Sequence, residues 1–298
     1  MIEPITDHVA LDSGVELPVL LWEPAASQTP APLPWILTHG LASNARLWDG
    51  VARRLAERGH RVVTVDQRGH GRSSKPDGPY DVPTCADDLA LLIDALGFDR
   101  RPAVGGQSWG GNVVLELGHR HPAAVEQVVC VDGGFIDLQG QFPSWDDCAE
   151  ALAPPRLAGT PLSRMQEWID RSAADWPPEG RAGTMANFEV RDDSTIAPWL
   201  TFERHLTVLR GLWEHRPASR FADLQVPALL IAADNAHAGG GAGWSATKES
   251  AVDAAVEALP RGRAEWFRPA HHDVHAQHPD LVADLLERSV TEPDFYPG

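Results

Sequence analysis

The sequence predicts an α/β fold in which a mostly parallel sheet is flanked by helices. Short runs that are apolar on nearly every residue, such as Trp35–Thr38 and Gln127–Val131, are typical of strands buried on both faces. These runs alternate with segments of helical periodicity, which favours parallel strands joined by helical crossovers. A chain of 298 residues with 43% hydrophobic content can also bury a large core.

The predicted elements alternate along most of the chain. The strand predictions are Asp7–Leu11, Glu16–Trp22, Trp35–Thr38, His60–Val65, 102–107, Gln127–Val131, Ala228–Ala233 and Ala264–Phe267. The helix predictions are Arg46–Arg58, Thr84–Leu96, 109–119, Thr247–Leu259 and Pro279–Ser289. Helices are predicted where apolar residues recur every three or four positions, and Gly59 and Gly97 mark the ends of the first two.

The alternation lapses between the sixth and seventh predicted strands. The segment from Phe135 to Phe221 is too long for a loop and must be structured. We therefore predict a core formed by residues 1–134 and 222–298, with a helical cap inserted at 135–221. Five of the eleven tryptophans lie in this segment, and we expect some of them to line an apolar pocket over Ser108. They are Trp145, Trp168, Trp176, Trp199 and Trp213.

Composition limits the classes of partner and cofactor. A formal net charge of −17 argues against nucleic acid or an anionic membrane surface as a partner. The N-terminus has no signal-peptide pattern and no apolar run is long enough to span a bilayer, which predicts a soluble, cytoplasmic protein. Three cysteines without metal-ligand spacing indicate neither a disulfide framework nor a metal site. No phosphate loop or dinucleotide motif is present, so no cofactor is predicted.

One short motif carries a specific chemical prediction. Ser108 lies in Gly106-Gln107-Ser108-Trp109-Gly110, between a predicted strand and a predicted helix. A serine flanked in this way by glycines is typical of a nucleophile elbow, where a tight turn presents the hydroxyl for attack. A serine hydroxyl needs a base, and the histidines of the tract 271–278 follow the last predicted strand at its carboxyl end. A metal site in this histidine-rich tract is the alternative interpretation.

These motifs resemble those of the α/β-hydrolase superfamily over nearly the whole chain. The resemblance is carried by His39-Gly40-Leu41, Asp66–Ser73, Gly106–Gly110 and a histidine upstream of Pro279. It implies His272 as the catalytic base, since the family histidine lies about seven residues before the proline that opens the last helix. It also implies that the backbone N–H groups of Leu41 and Trp109 bind the oxyanion. His275 and His278 are then expected at the surface.

The third member of a catalytic triad is an acid, and two aspartates are candidates. The resemblance places the acid a few residues after strand Ala228–Ala233, but Ala236 stands there and Asp234 comes early. Asp132 ends the strand before the insertion, and Gly133 lets the chain turn away. Some family members supply the acid from that strand. We therefore favour Asp132 and keep Asp234 as the alternative.

The predicted function is that of a serine hydrolase cleaving a carboxylic ester, lactone or thioester of a small apolar acyl substrate. The same machinery also serves carbon–carbon bond hydrolases. The elbow also resembles that of prolyl aminopeptidases, which would need acids to hold a free amine. The available acids are Glu150, Glu167, Glu189, Glu203 and Glu214. A receptor-like binding protein without turnover is a further alternative, because this fold hosts such proteins.

Overall fold

The computed structural model describes residues 2–25, 31, 33–234 and 242–297, with side chains in the last range from residue 246. The strands within these residues are β1 (Ile5–Ala10), β2 (Glu16–Trp22), β3 (Trp35–Thr38), β4 (Val62–Val65), β5 (Ala103–Gln107), β6 (Gln127–Val131), β7 (Thr160–Pro161), β8 (Phe188–Val190), β9 (Thr195–Pro198), β10 (Ala228–Ala233) and β11 (Gly262–Phe267). Eight of them form one sheet in the order β1-β2-β4-β3-β5-β6-β10-β11. Only the β1–β2 and β2–β4 pairs are antiparallel, which confirms the predicted mostly parallel sheet.

Helices connect and cover the strands. They are α1 (Asp49–Glu57), α2 (Val82–Leu96), α3 (Trp109–Arg120), α4 (Leu138–Gln141), α5 (Trp145–Leu152), α6 (Leu162–Ser172), α7 (Pro178–Met185), α8 (Phe202–Glu214), α9 (Ala218–Phe221), α10 (Ala242–Ala258), α11 (Val274–Gln277) and α12 (Pro279–Thr291). A 3-10 turn at Ala45–Trp48 leads into α1. In the part of the chain that the structure describes, no helix combines the length and apolarity needed to cross a membrane.

The central strands are buried on both faces because successive side chains point to opposite sides of the sheet. Val104 and Val128 belong to the apolar cluster that includes residues of α2 and α3. Ala103 and Val129, their chain neighbours, belong to the cluster that includes residues of α1 and α12. The continuous apolar runs in the sequence therefore reflect helices on both faces.

The segment between β6 and β10 contains six helices, α4 to α9, together with a small antiparallel sheet. This second sheet has the order β7-β9-β8. The sequence predicted a helical segment here and missed these strands. They are only two to four residues long, and β7 ends in a proline, which cannot donate to a ladder.

Candidate active site

Ser108 forms the turn between β5 and α3. Its backbone φ is 54° and its ψ is −122°, a conformation that costs a non-glycine residue about 1–3 kcal/mol. The Ser108 N–H donates to the carbonyl of Val131 at 2.8 Å and thereby ties the turn to the end of β6. The turn holds the serine at the carboxyl edge of the sheet, where open α/β sheets bind their ligands.

Glycines around the turn are required because backbone segments approach one another closely. A side chain at Gly106 would collide with the backbone of Gly110, and a side chain at Gly110 would collide with the backbone of His39. A side chain at Gly133 would collide with the backbone of Ser108. The spacing of glycines in the sequence is therefore a packing requirement of the elbow.

Asp132 and His272 form a hydrogen-bonded pair beside this turn. Asp132 follows β6 directly and His272 lies after β11. The Asp132 Oδ2 atom accepts from His272 Nδ1 at 2.6 Å, and its Oδ1 atom accepts from the N–H of Ala233 at 3.0 Å. With the proton on Nδ1, the Nε2 atom of a neutral His272 is the nitrogen able to accept a proton. The His272 side chain is 53% exposed, so the ring is reachable from the cavity.

The two members of the pair have pKa values that shift in opposite directions. Burial raises the pKa of Asp132, but the hydrogen bond and charge of His272 and the charge of Lys248 outweigh it and hold that pKa below its ordinary value. Desolvation lowers the pKa of His272, but the hydrogen bond to Asp132 and its negative charge outweigh that and raise the pKa. The arrangement is that of an ionised carboxylate that stabilises a neighbouring imidazolium.

Lys248 is a member of this site that sequence reasoning missed. Its Nζ atom donates to Asp132 Oδ1 at 3.0 Å, to Asp132 Oδ2 at 2.9 Å and to the carbonyl of Ala233 at 2.8 Å. No motif marks this residue. The one available signal is composition, because Lys248 and Lys75 are the only lysines in the chain.

The alternative acid, Asp234, has a different environment. Its carboxylate lies 3.8 Å from Arg268 Nε, and its backbone carbonyl accepts from the N–H of Ala270. The N–H at His272 Nδ1 donates to Asp132 instead. Ala236, where the resemblance would have placed an acid, lies outside the described residues.

Hydrogen bonds between buried groups hold the loop that carries Leu41. The N–H of Gln67 donates to His39 Nε2 at 3.0 Å, so Nδ1 carries the ring proton and donates to the carbonyl of Gly40 at 2.8 Å. Burial lowers the pKa of His39, which keeps this tautomer uncharged. Leu41 lines the same cavity as Ser108. Trp109 is the first residue of α3, so its N–H has no partner within the helix.

A cavity of about 510 Å³ adjoins Ser108, Asp132 and His272. Much of its wall is apolar and comes from the segment between β6 and β10. These apolar residues are Phe135, Ile136, Leu138, Leu152, Leu209 and Leu212. His205 of α8 also lines it, and burial lowers the pKa of His205 to about 4, so this ring is neutral near pH 7. None of the five tryptophans of the segment is among the described lining residues, so the expectation that some would line it was wrong.

The histidine-rich tract after β11 divides into separate environments. His271 packs edge-on against Trp176, with ring centroids 5.8 Å apart. His275 is buried and lies 4.3 Å from the ring of Trp48, so the expectation of a surface residue was wrong. Among the residues that the structure describes, no group of three or more histidine, cysteine or acidic side chains is placed to hold a metal ion.

The chain belongs to the α/β hydrolase fold family, whose model matches residues 34–238. An uncharacterized protein of Mycobacterium tuberculosis is 34% identical over 126 residues, which cover 41% of this chain and 36% of that protein. The chain thus spans little more than a third of the length of the first curated relatives it matches. A RutD protein of Azorhizobium caulinodans, named as a carbamate hydrolase, is 27% identical over 205 residues, covering 67% of this chain and 72% of that protein.

Solved structures show the same fold. The crystal structure of E-2-(acetamidomethylene)succinate hydrolase superposes with a TM-score of 0.74 and 20% identity. The superposition covers 96% of this chain and 98% of that chain. At this identity the likeness establishes the fold alone.

Proposed function

We propose that this protein is a serine hydrolase that cleaves a carboxylic ester, lactone or thioester of an apolar acyl substrate. The observation that carries the proposal is the 2.6 Å hydrogen bond from His272 Nδ1 to buried Asp132, beside a cavity that Ser108 also lines. The residues proposed as nucleophile, base and orienting acid thus line one cavity, and serine-based acyl transfer requires this combination of groups.

The proposed reaction proceeds through an acyl-enzyme. The Ser108 Oγ atom attacks the substrate carbonyl while His272 Nε2 accepts the hydroxyl proton, and Asp132 stabilises the resulting imidazolium. The N–H groups of Leu41 and Trp109 stabilise the tetrahedral oxyanion. His272 then protonates the leaving group, and a water molecule, activated by the same imidazole, hydrolyses the acyl-enzyme.

We further propose that residues 135–221 act as a cap that contributes the substrate-binding wall. The support is that Phe135, Ile136, Leu209 and Leu212 all line the cavity. Among the described residues that line this cavity, Asp132 is the one acidic residue. None of the five glutamates considered for amine binding lines the cavity. This wall favours an uncharged acyl group over the free amine of a peptidase substrate.

The test is steady-state hydrolysis of p-nitrophenyl acetate, butyrate and octanoate by the wild type and by Ser108→Ala. We expect kcat/KM to rise with acyl length, since longer chains bury more apolar surface, and to fall to background in Ser108→Ala. Ser250→Ala, which changes an exposed hydroxyl on α10, is the matched control and should retain full activity. Equal rates for the wild type and Ser108→Ala would overturn the proposal.

The names of two relatives favour one second candidate. One is named as a carbamate hydrolase and the other as a hydrolase of an acetamidomethylene compound, and the second candidate is therefore cleavage of a carbonyl–nitrogen bond by the same residues. A matched anilide of each acyl group, assayed beside the ester, distinguishes the two. Ser108-dependent anilide cleavage at a rate comparable to ester cleavage would assign the carbonyl–nitrogen bond.

A further inference from the structure

The ammonium group of Lys248 is directed at the end of the sheet. Its Nζ atom contacts the two oxygens of Asp132 and the carbonyl of Ala233. The lysine side chain is only 16% exposed. Although Lys248 lines the cavity, its charge is directed at the end of the sheet. These contacts favour an effect of Lys248 on the Asp132 carboxylate over direct binding of the substrate by Lys248.

Asp132 is held from several sides at once. Its side chain is fully buried, and its oxygens receive hydrogen bonds from Ala233, Lys248 and His272. Each oxygen accepts one bond from Lys248 and one from another donor, which fixes the plane of the carboxylate. A carboxylate fixed in this way also fixes the direction of the His272 ring.

We propose that Lys248 is a positioning residue that locks the carboxylate of Asp132 and limits how strongly His272 holds a proton. The inference rests on the proposed function for its catalytic meaning. The reason is electrostatic, because the positive charge of Lys248 offsets part of the negative charge of Asp132. The negative charge therefore stabilises the His272 imidazolium less strongly. A base that bound its proton too tightly would be protonated, and inactive, near neutral pH.

The other titratable groups around His272 do not replace Lys248. The charge of Asp273 raises the pKa of His272, in the same direction as Asp132, whereas the charge of Lys248 lowers it. Burial and the nearby His272 lower the pKa of His275 to about 3, so His275 is uncharged near neutral pH. Among these groups Lys248 is the cation that opposes the two aspartates.

The first test is a direct NMR titration of the His272 ring in the wild type, Lys248→Met and Lys248→Arg. We expect the pKa of His272 to rise by about one in Lys248→Met, because a positive charge next to its partner is removed. Lys248→Arg keeps the positive charge, so the pKa of His272 should stay near that of the wild type. Lys75→Met is the matched control, because Lys75 Nζ instead donates to the carbonyls of Gly71 and Ser73. An unchanged pKa in Lys248→Met overturns the inference.

A second measurement uses the unaltered protein and does not depend on the folding of a variant. With lysine labelled at Cε, the wild type gives two lysine signals. The Lys248 signal should move with the titration of His272, while the Lys75 signal should not. A Lys248 signal whose chemical shift does not change as His272 titrates contradicts the inference.

The catalytic consequence is read from the pH profile of kcat/KM. The acidic limb should move to higher pH in Lys248→Met by the same amount as the NMR pKa, and Lys248→Arg should restore it. If the wild type shows no Ser108-dependent turnover, the proposed function fails, but the two titrations still decide the role of Lys248. If turnover is present and the limb does not move, the positioning role fails while the proposed function stands.

Discussion

Ser108 and Asp132 both adopt backbone conformations that residues with side chains rarely use, with φ of 54° and 44°. They directly follow neighbouring strands, β5 and β6, and the N–H of Ser108 donates to the carbonyl of Val131, the residue just before Asp132. Non-glycine residues at positive φ are concentrated at functional sites, where surrounding structure holds the strain. Two such residues on adjacent strand ends are consistent with the roles we propose for them.

Replacement of Asp132 tests its role at the residue scale. Asp132→Asn keeps the shape but removes the charge that stabilises imidazolium, and we expect kcat to fall roughly 10³- to 10⁴-fold. Asp234→Asn, measured on the same ester, should leave kcat within a few-fold of the wild type. Near-normal kcat in Asp132→Asn together with a large loss in Asp234→Asn would move the acid to Asp234.

The pH dependence follows from the direction of the His272 pKa. Only the neutral imidazole accepts the serine proton, so activity falls as the pH drops through that pKa. Because Asp132 raises the pKa above the ordinary value of 6.5, the midpoint of the acidic limb of kcat/KM should lie above pH 6.5. Stopped-flow or steady-state rates from pH 5 upward check this expectation. A midpoint clearly below 6.5 would contradict it.

At the scale of elements, helix α3 is joined to the segment between β6 and β10 by a buried polar network. Glu116 of α3 accepts from His215 at 3.1 Å and from Arg220 at 2.7 Å, and Asn112 lies 3.1 Å from the other nitrogen of His215. Burial raises the pKa of Glu116, but its bonds to His215 and Arg220 lower it to about 2. The network therefore joins the helix behind Ser108 to the proposed cap.

We expect Glu116→Gln to lower the free energy of unfolding by about 3 kcal/mol, because it leaves buried donors without their charged acceptor. Glu214→Gln is the control, since its pair with Arg210 is exposed and should be worth at most about 0.5 kcal/mol. The pKa of Glu116 is lower when folded, so its contribution is present above its ordinary pKa of 4.5 and is lost as pH falls toward 2. Urea unfolding at pH 7 and at pH 3 measures both effects. An equal, small loss of stability in the two variants would show that the Glu116 network does not stabilise the fold.

The main strands could be predicted from the sequence because their apolar runs are local signals. Glu16–Trp22, Trp35–Thr38, Gln127–Val131 and Ala228–Ala233 have the same limits in the structure as in the prediction. The small sheet could not be predicted in this way, since β7 has only two residues and its pairing with β9 depends on how the surrounding helices fold. Burial of His275 was missed for a related reason, because it depends on Trp48 in a distant part of the chain.

At the scale of the whole molecule, the sheet brings together side chains that are far apart in sequence. Lys248 and Asp132 are 116 residues apart, and His272 and Asp132 are 140 apart. Ser108 and Asp132 could be singled out because each follows a recognisable strand, and His272 because the family resemblance places the histidine about seven residues before Pro279. Lys248 has no such marker, since its contact depends on the placement of α10 against the end of β10. The residues that line the cavity could not be predicted from the sequence either, because the lining depends on the packing of residues 135–221.

If Ser108 is the nucleophile, it carries the acyl group during turnover. To check this, the protein is mixed with p-nitrophenyl butyrate and quenched in acid at early times, and the added mass is located by peptide mass spectrometry. We expect a butyryl group on the peptide containing Ser108, which forms before steady state and disappears when substrate is exhausted. Turnover without an acylated Ser108 peptide, or with the butyryl group on another residue, would contradict it.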